Sequence, residues 1–88
     1  LVQLPKSVFS GDHSALVETL VAARARAGLT QTELARRLGK DQSYISIVER
    51  SQRRVDVLEF YAFARALEAD PVALFAEVVA KLPARITI

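Results

Sequence analysis

The sequence predicts an all-α domain of five short helices, and three observations carry that expectation. Apolar residues recur at the three- and four-residue intervals of a helix face in one segment after another. Most of these segments are bracketed by a capping Ser, Thr or Asp before them and a Gly or Pro after them. No segment sustains the alternation of a strand, and Ile86-Thr87-Ile88 is too short to count as one.

Residues 1–11, with Pro5 and Gly11, read as an N-terminal arm, residues 12–82 as the domain and residues 83–88 as a tail. The first helix is expected from about Ser14 to Ala27, capped by Asp12 or Ser14. Leu16, Val17, Leu20 and Val21 lie on one face of it, and Gly28 ends it in the left-handed conformation. Thr30-Gln31-Thr32-Glu33 is a capping box that opens the second helix, which closes at Leu38 before a turn at Gly39. Asp41 is expected to cap a third helix from Gln42 to about Arg50, and Ser51 to Val55 form a basic loop. Asp56, with Glu59 three residues on, opens a fourth helix that runs to about Leu67. Asp70-Pro71 opens a fifth that runs to Leu82, where Pro83 stops it.

The totals bound the possibilities. Eighty-eight residues make one domain with a modest core, which a second chain packed against it would help to stabilise. An apolar fraction of 51% and a charged fraction of 25% suit a folded chain. The absence of cysteine excludes disulfides, thiolate metal sites and a Cys nucleophile. No apolar run is long enough to span a bilayer, so no membrane role is expected, and a cytoplasmic, bacterial or phage location is the default. Charge is unevenly spread. Residues 24–54 hold Arg24, Arg26, Arg36, Arg37, Lys40, Arg50, Arg53 and Arg54 against Glu33, Asp41 and Glu49, whereas the flanking segments are slightly acidic. The basic middle third is what a polyanion would meet, though an ordinary solvated face has the same composition.

Gln31 to Arg50 has the pattern of a helix-turn-helix. Two helices that cross steeply through a tight turn need a small residue where they pass closest, supplied by Ala35, and a positive φ in the turn, supplied by Gly39. Leu34, Leu38, Ile45 and Val48 are the apolar positions that face the core. The polar residues between them leave one face of the second helix open to a DNA groove.

From Arg24 to about Phe75 the chain resembles the lambda-repressor/Cro-like, Xre-type helix-turn-helix family. The segments that carry the likeness are AGLTQTELARRLG, DQSYISIVER and FARAL. The resemblance implies a compact five-helix domain that binds operator DNA, usually as a dimer. It also implies base-reading positions at the start of the recognition helix, here Gln42 and Ser43, with Ser46 one turn on and Ile47 beside it against a thymine methyl or the groove wall. A glutamine at such a position can bond both N6 and N7 of adenine. Family members often place a glutamine at the start of the preceding helix to touch phosphate and brace the first, and Gln31 and Gln42 match that pair. Lys40, Tyr44, Arg50, Arg53 and Arg54 flank the same surface as candidate phosphate contacts. Asp41 is better explained as a cap, and one of Arg36 and Arg37 is expected to pair with an acid such as Glu49. Two positions depart from the family: Ser51 stands where glycine is common, and Ile47 where a polar or basic residue is common.

The last two helices carry more apolar residues than one core face absorbs. Val57, Phe60, Tyr61, Ala64 and Leu67 make a core stripe on the fourth, and Val72, Phe75, Val79 and Leu82 on the fifth. Leu58, Phe63, Leu74 and Val78 are left over as a candidate homodimer interface. No catalytic triad, paired metal ligands or phosphate-cradling glycine loop is present, and the lone His13 suits a solvent or cap role, so neither enzyme activity, metal nor cofactor is expected. The expected function is sequence-specific binding of double-stranded DNA as a dimeric transcriptional regulator, in most cases a repressor. The alternative is an antitoxin-like protein-interaction module on the same fold. A single domain leaves no room here for a sensor, so regulation is expected to come from concentration, competition or a partner.

Overall fold

The computed structural model describes residues 11–87. Residues 1–10, expected as an arm, and Ile88 lie outside them. Five helices follow one another: α1 (Gly11–Arg26), α2 (Gln31–Leu38), α3 (Gln42–Glu49), α4 (Val57–Ala66) and α5 (Pro71–Ala80). Among the described residues there is no strand.

The caps explain most of the boundaries. At α2 the Thr30 hydroxyl accepts from the Glu33 amide at 3.1 Å, and the Glu33 carboxylate accepts from the Thr30 amide at 2.8 Å. The same reciprocal box joins Asp56 and Glu59 at α4, and Asp70 accepts from the Val72 amide at α5. Asp41 precedes α3 in extended backbone but makes no side-chain cap bond, so its expected capping role is not realised. Helix α1 starts earlier than expected, at Gly11, and α5 ends two residues early, at Ala80, with Leu82 packed half-buried on the core.

Gly39 has φ 67°, the left-handed turn that joins α2 to α3. Ser51 has φ 59°, so the chain keeps after α3 the geometry that the family's usual glycine adopts freely, now on a residue with a Cβ.

The second helix packs on α3 and α4, α1 lies against α3 and α5, and α4 meets α5. Their shared core holds Leu20, Ala23, Leu34, Ala35, Ile45, Val48, Phe60, Phe63, Ala64, Leu67, Leu74 and Val78. A polar staple ties the ends together: the fully buried Thr19 hydroxyl of α1 donates to the Ala15 carbonyl and accepts from Lys81 Nζ at 2.6 Å, just beyond α5.

The expected interface residues need correction here. Phe63, Leu74 and Val78 are 1–2% exposed and belong to the core; of the four, only Leu58 is outside, at 78%. The residues assigned to the core stripes are partly reversed in turn, since Val57, Tyr61, Val72, Phe75 and Val79 are all exposed. The cause is physical. Helix α5 reads PVALFAEVVA, apolar around almost its whole circumference, so periodicity alone does not distinguish its inner face from its outer one. On α4 and its C-cap the buried set is Phe60, Phe63, Ala64 and Leu67, which keeps three residues of the expected stripe and takes Phe63 in place of Val57 and Tyr61.

Candidate nucleic-acid interface

A chain of hydrogen bonds runs from the back of the domain to the first residue of α3. Arg24, near the end of α1, donates from Nε and Nη2 to the two oxygens of Glu49 at 2.7 and 2.8 Å, and from Nη1 to the Leu29 carbonyl. Glu49 closes α3, so this bidentate pair bolts the C-terminus of α3 onto α1. Its bonding to Glu49 raises the Arg24 pKa above the ordinary value. Glu49 Oε1 also accepts from Gln31 Nε2 at 2.8 Å, and Gln31 Oε1 accepts from Gln42 Nε2 at 2.6 Å. One of Arg36 and Arg37 pairs with an acid, as expected, but the acid is not Glu49. Arg37 instead donates to the Ala66 carbonyl and pairs with Glu68 at 3.4 Å, because α2 lays it along the end of α4.

The relay has a direction. A carboxylate only accepts, so Gln31 must turn its NH₂ toward Glu49 and its oxygen toward Gln42. Gln42 must then donate to Gln31 with one N–H, which leaves its second N–H and its carbonyl oxygen uncommitted. One donor and one acceptor are what the major-groove edge of adenine requires. Gln42 and Ser43 are exposed, and Ser46 and Ile47 are half-buried along α3.

The basic residues divide into separate groups. Tyr44, half-buried on α3, packs its ring near Phe63 and has two cations over it, with Lys40 Nζ 5.3 Å and Arg53 Cζ 5.2 Å from its centroid. Its hydroxyl donates to Glu59 at 3.1 Å, and Arg53 pairs with the same carboxylate at 2.6 Å. Arg53, with the Asp56 amide and Tyr44, holds Glu59 down to about 2, while burial and then Glu59 raise the Tyr44 pKa. Arg50 bonds Gln52 within the loop, and Arg54 is exposed near the start of α1.

Arg54 has a neighbour that sequence reasoning missed. His13 takes no cap or solvent role: its Nε2 accepts from the Val55 amide at 3.2 Å, which joins α1 to the basic loop. Burial, then Arg54, lowers its pKa. Glu59 was visible in the sequence only as a capping residue, and its second oxygen serves the basic cluster. Nothing in local sequence predicts that contact, which depends on how α4 meets α3. Among the described residues, no group of three or more His, Asp or Glu could hold a metal, and no helix is long and apolar enough to cross a membrane.

A family model described as helix-turn-helix matches residues 20–74, which span all of α2 and α3 with most of the core. Among solved structures, an XRE-family like protein from Pseudomonas syringae pv. tomato is 44% identical, with a TM-score of 0.77 over 89% of this chain and 95% of that one. The restriction-modification controller protein C.AhdI from Aeromonas hydrophila is 38% identical, with a TM-score of 0.66 over 73% of this chain and 93% of that one. The controller protein C.Esp1396I, solved as a tetramer with its natural 35 base-pair operator, is 26% identical, with a TM-score of 0.74 over 82% of this chain and 95% of that one. No curated protein matches. With more than half of its length matched by the model and a close likeness to an XRE-family structure, the chain belongs to the Xre-type, lambda-repressor/Cro-like helix-turn-helix family of DNA-binding regulators.

Proposed function

We propose that this protein regulates transcription by binding a short palindromic operator as a dimer, with α3 in the major groove, and that it represses by occupying promoter DNA. The observation that carries this reading is the relay ending at Gln42, which fixes the donor and acceptor of a side chain at the exposed start of α3. Gln42, Ser43, Ser46 and Ile47 read bases. Gln31, Lys40, Tyr44, Arg50, Arg53 and Arg54 contact phosphates, which positions the domain without reading sequence.

The second copy docks on the outer face of α4 and α5, where Val57, Leu58, Tyr61, Val72, Phe75 and Val79 are exposed. So many large apolar side chains, grouped on two adjacent helices, mark an interface rather than a solvated surface. A two-fold axis there sets two recognition helices about 34 Å apart, one turn of DNA. The operator complex of C.Esp1396I supports the DNA partner by similarity.

Selection of bound duplexes from a random library tests the reading as a whole. The expected product is a near-palindrome with half-sites about 10 base pairs apart, centre to centre. Random duplex that competes as well as the selected site overturns it. In the same assay Gln42→Ala loses preference at particular A·T positions and keeps non-specific binding. Uniform weakening on every sequence removes Gln42 from the reading set.

A further inference from the structure

Glu59 is a carboxylate among the cations assigned to phosphate, where by charge alone it opposes a polyanion. Its contacts suggest another role. One oxygen, Oε2, takes both Arg53 Nη2 at 2.6 Å and the Tyr44 hydroxyl at 3.1 Å, while Oε1 is held by the Asp56 amide at 2.9 Å. Arg53 is gripped at a second point, since its Nη1 donates to the Arg54 carbonyl at 2.9 Å. Two of its five N–H groups are then engaged, and three remain for an incoming anion. The guanidinium and Lys40 lie over the Tyr44 ring, 5.2 and 5.3 Å from its centroid. Three separate segments thus meet at one carboxylate: α3 through Tyr44, the basic loop through Arg53, and α4 through its own cap.

We propose that Glu59 is a positioning residue for DNA binding: it holds Arg53 and Tyr44 as a preformed clamp for one backbone phosphate beside α3. The inference rests on the DNA-binding reading above and goes beyond it by giving an acidic residue outside the helix-turn-helix a favourable part in binding a polyanion. An arginine already held in place loses less rotamer freedom when the phosphate arrives, and that saving outweighs the repulsion from one screened carboxylate.

The sign of the effect makes the test sharp. Glu59→Gln has a single acceptor oxygen, which can stay on the Asp56 amide so that the cap survives. Its NH₂ can donate to the Tyr44 hydroxyl oxygen but cannot accept from Arg53, and a negative charge is removed. Simple charge counting expects tighter DNA binding. A positioning role expects weaker binding, by about fivefold to tenfold on the selected operator, the scale of one charge-assisted hydrogen bond. Titrations of the whole chain over a salt series would compare the wild type, Glu59→Gln, Arg53→Ala and the double variant, with thermal melts to show that each is folded. In the Arg53→Ala background, Glu59→Gln should cost nothing further. Tyr44→Phe, which cuts one bond to the carboxylate and leaves the cap alone, gives an independent arm with an expected loss of about twofold to threefold. Equal or tighter binding by Glu59→Gln, or the same loss with Arg53 absent, overturns the positioning role. A wild-type chain that binds no duplex above random competitor overturns the DNA-binding reading itself, so the wild-type titration separates the two failures.

Discussion

The α2–α3 pair and the α4–α5 pair are each two short helices, with side-chain cap bonds at α2, α4 and α5, yet they are specified in different ways. In α2 and α3, apolar Leu34, Ala35, Ile45 and Val48 are interspersed with charged and polar residues, so only one face of each helix is apolar. In α4 and α5, apolar residues surround the helices, and two different faces would satisfy the hydrophobic effect almost equally. Polar contrast, rather than apolar content, tells a helix which way to turn. The rotation of each helix in the first pair therefore follows from its own pattern, whereas the second is oriented by what it packs against. Helix α5 takes its rotation from α1 and α4, with Glu77 turned out to Arg26 at 3.3 Å and Lys81 brought over Thr19.

The comparison can be broken most directly at α5. Val78→Asp puts a carboxylate into the core and is expected to cost more than about 3 kcal/mol, enough to unfold a small domain in a thermal melt. Val72→Asp, on the exposed face, should leave the domain folded, its melt lowered only by the lost dimer contact, while sedimentation shows a monomer. If the two variants exchange behaviour, the inner and outer faces of α5 have been assigned the wrong way round.

The next effect lies in the polar half. Glu49→Gln leaves the Arg24 guanidinium without its charged partner and should cost about 2 kcal/mol in a urea titration. It also removes the acceptor-only group that orients both glutamines, so selectivity at the Gln42 position should blur more than overall affinity falls. An unchanged binding preference would mean that Gln42 is aligned without the relay.

Ser51→Gly is a smaller change of opposite sign. Relief of a left-handed serine should stabilise the fold by about 0.5–1 kcal/mol, less what the glycine adds to the freedom of the unfolded chain. A lower midpoint would show that the serine side chain contributes more than its backbone conformation costs.

The smallest effect is read with pH. Because the folded His13 has a lowered pKa, the unfolded chain takes up the proton first as pH falls through 6.5. The stability tied to the neutral ring is complete above that pH and is lost progressively toward the folded pKa. His13→Gln should flatten this part of the stability profile, and an unaltered slope would assign it elsewhere. Glu59 acts in a separate window: its contribution is present above 4.5 and is lost as pH falls toward 2.

These contrasts also explain what could be read from the chain alone. Helix order, the Thr30–Glu33 and Asp56–Glu59 boxes, the turn at Gly39 and the Gln31–Gln42 pair all depend on residues within a few turns of one another. The partners of Glu49, the second role of Glu59, and the His13 bond to the Val55 amide each join positions far apart in sequence. Side chains capable of several bonds choose among them only once the helices have been brought together. Ser51 lies between these cases, since its position was noticeable in the sequence while its φ was not.

The relay from Arg24 to Gln42 bears on how such a domain can acquire a new target. A substitution at position 42 meets a fixed oxygen at position 31, and position 31 in turn meets a fixed carboxylate. A newcomer at 42 that cannot donate is left facing that oxygen without a bond. Positions 31 and 42 are therefore expected to change together in a library selected for altered operators, and Arg24 and Glu49 as a second unit. Single replacements at 42 would more often erase preference than redirect it.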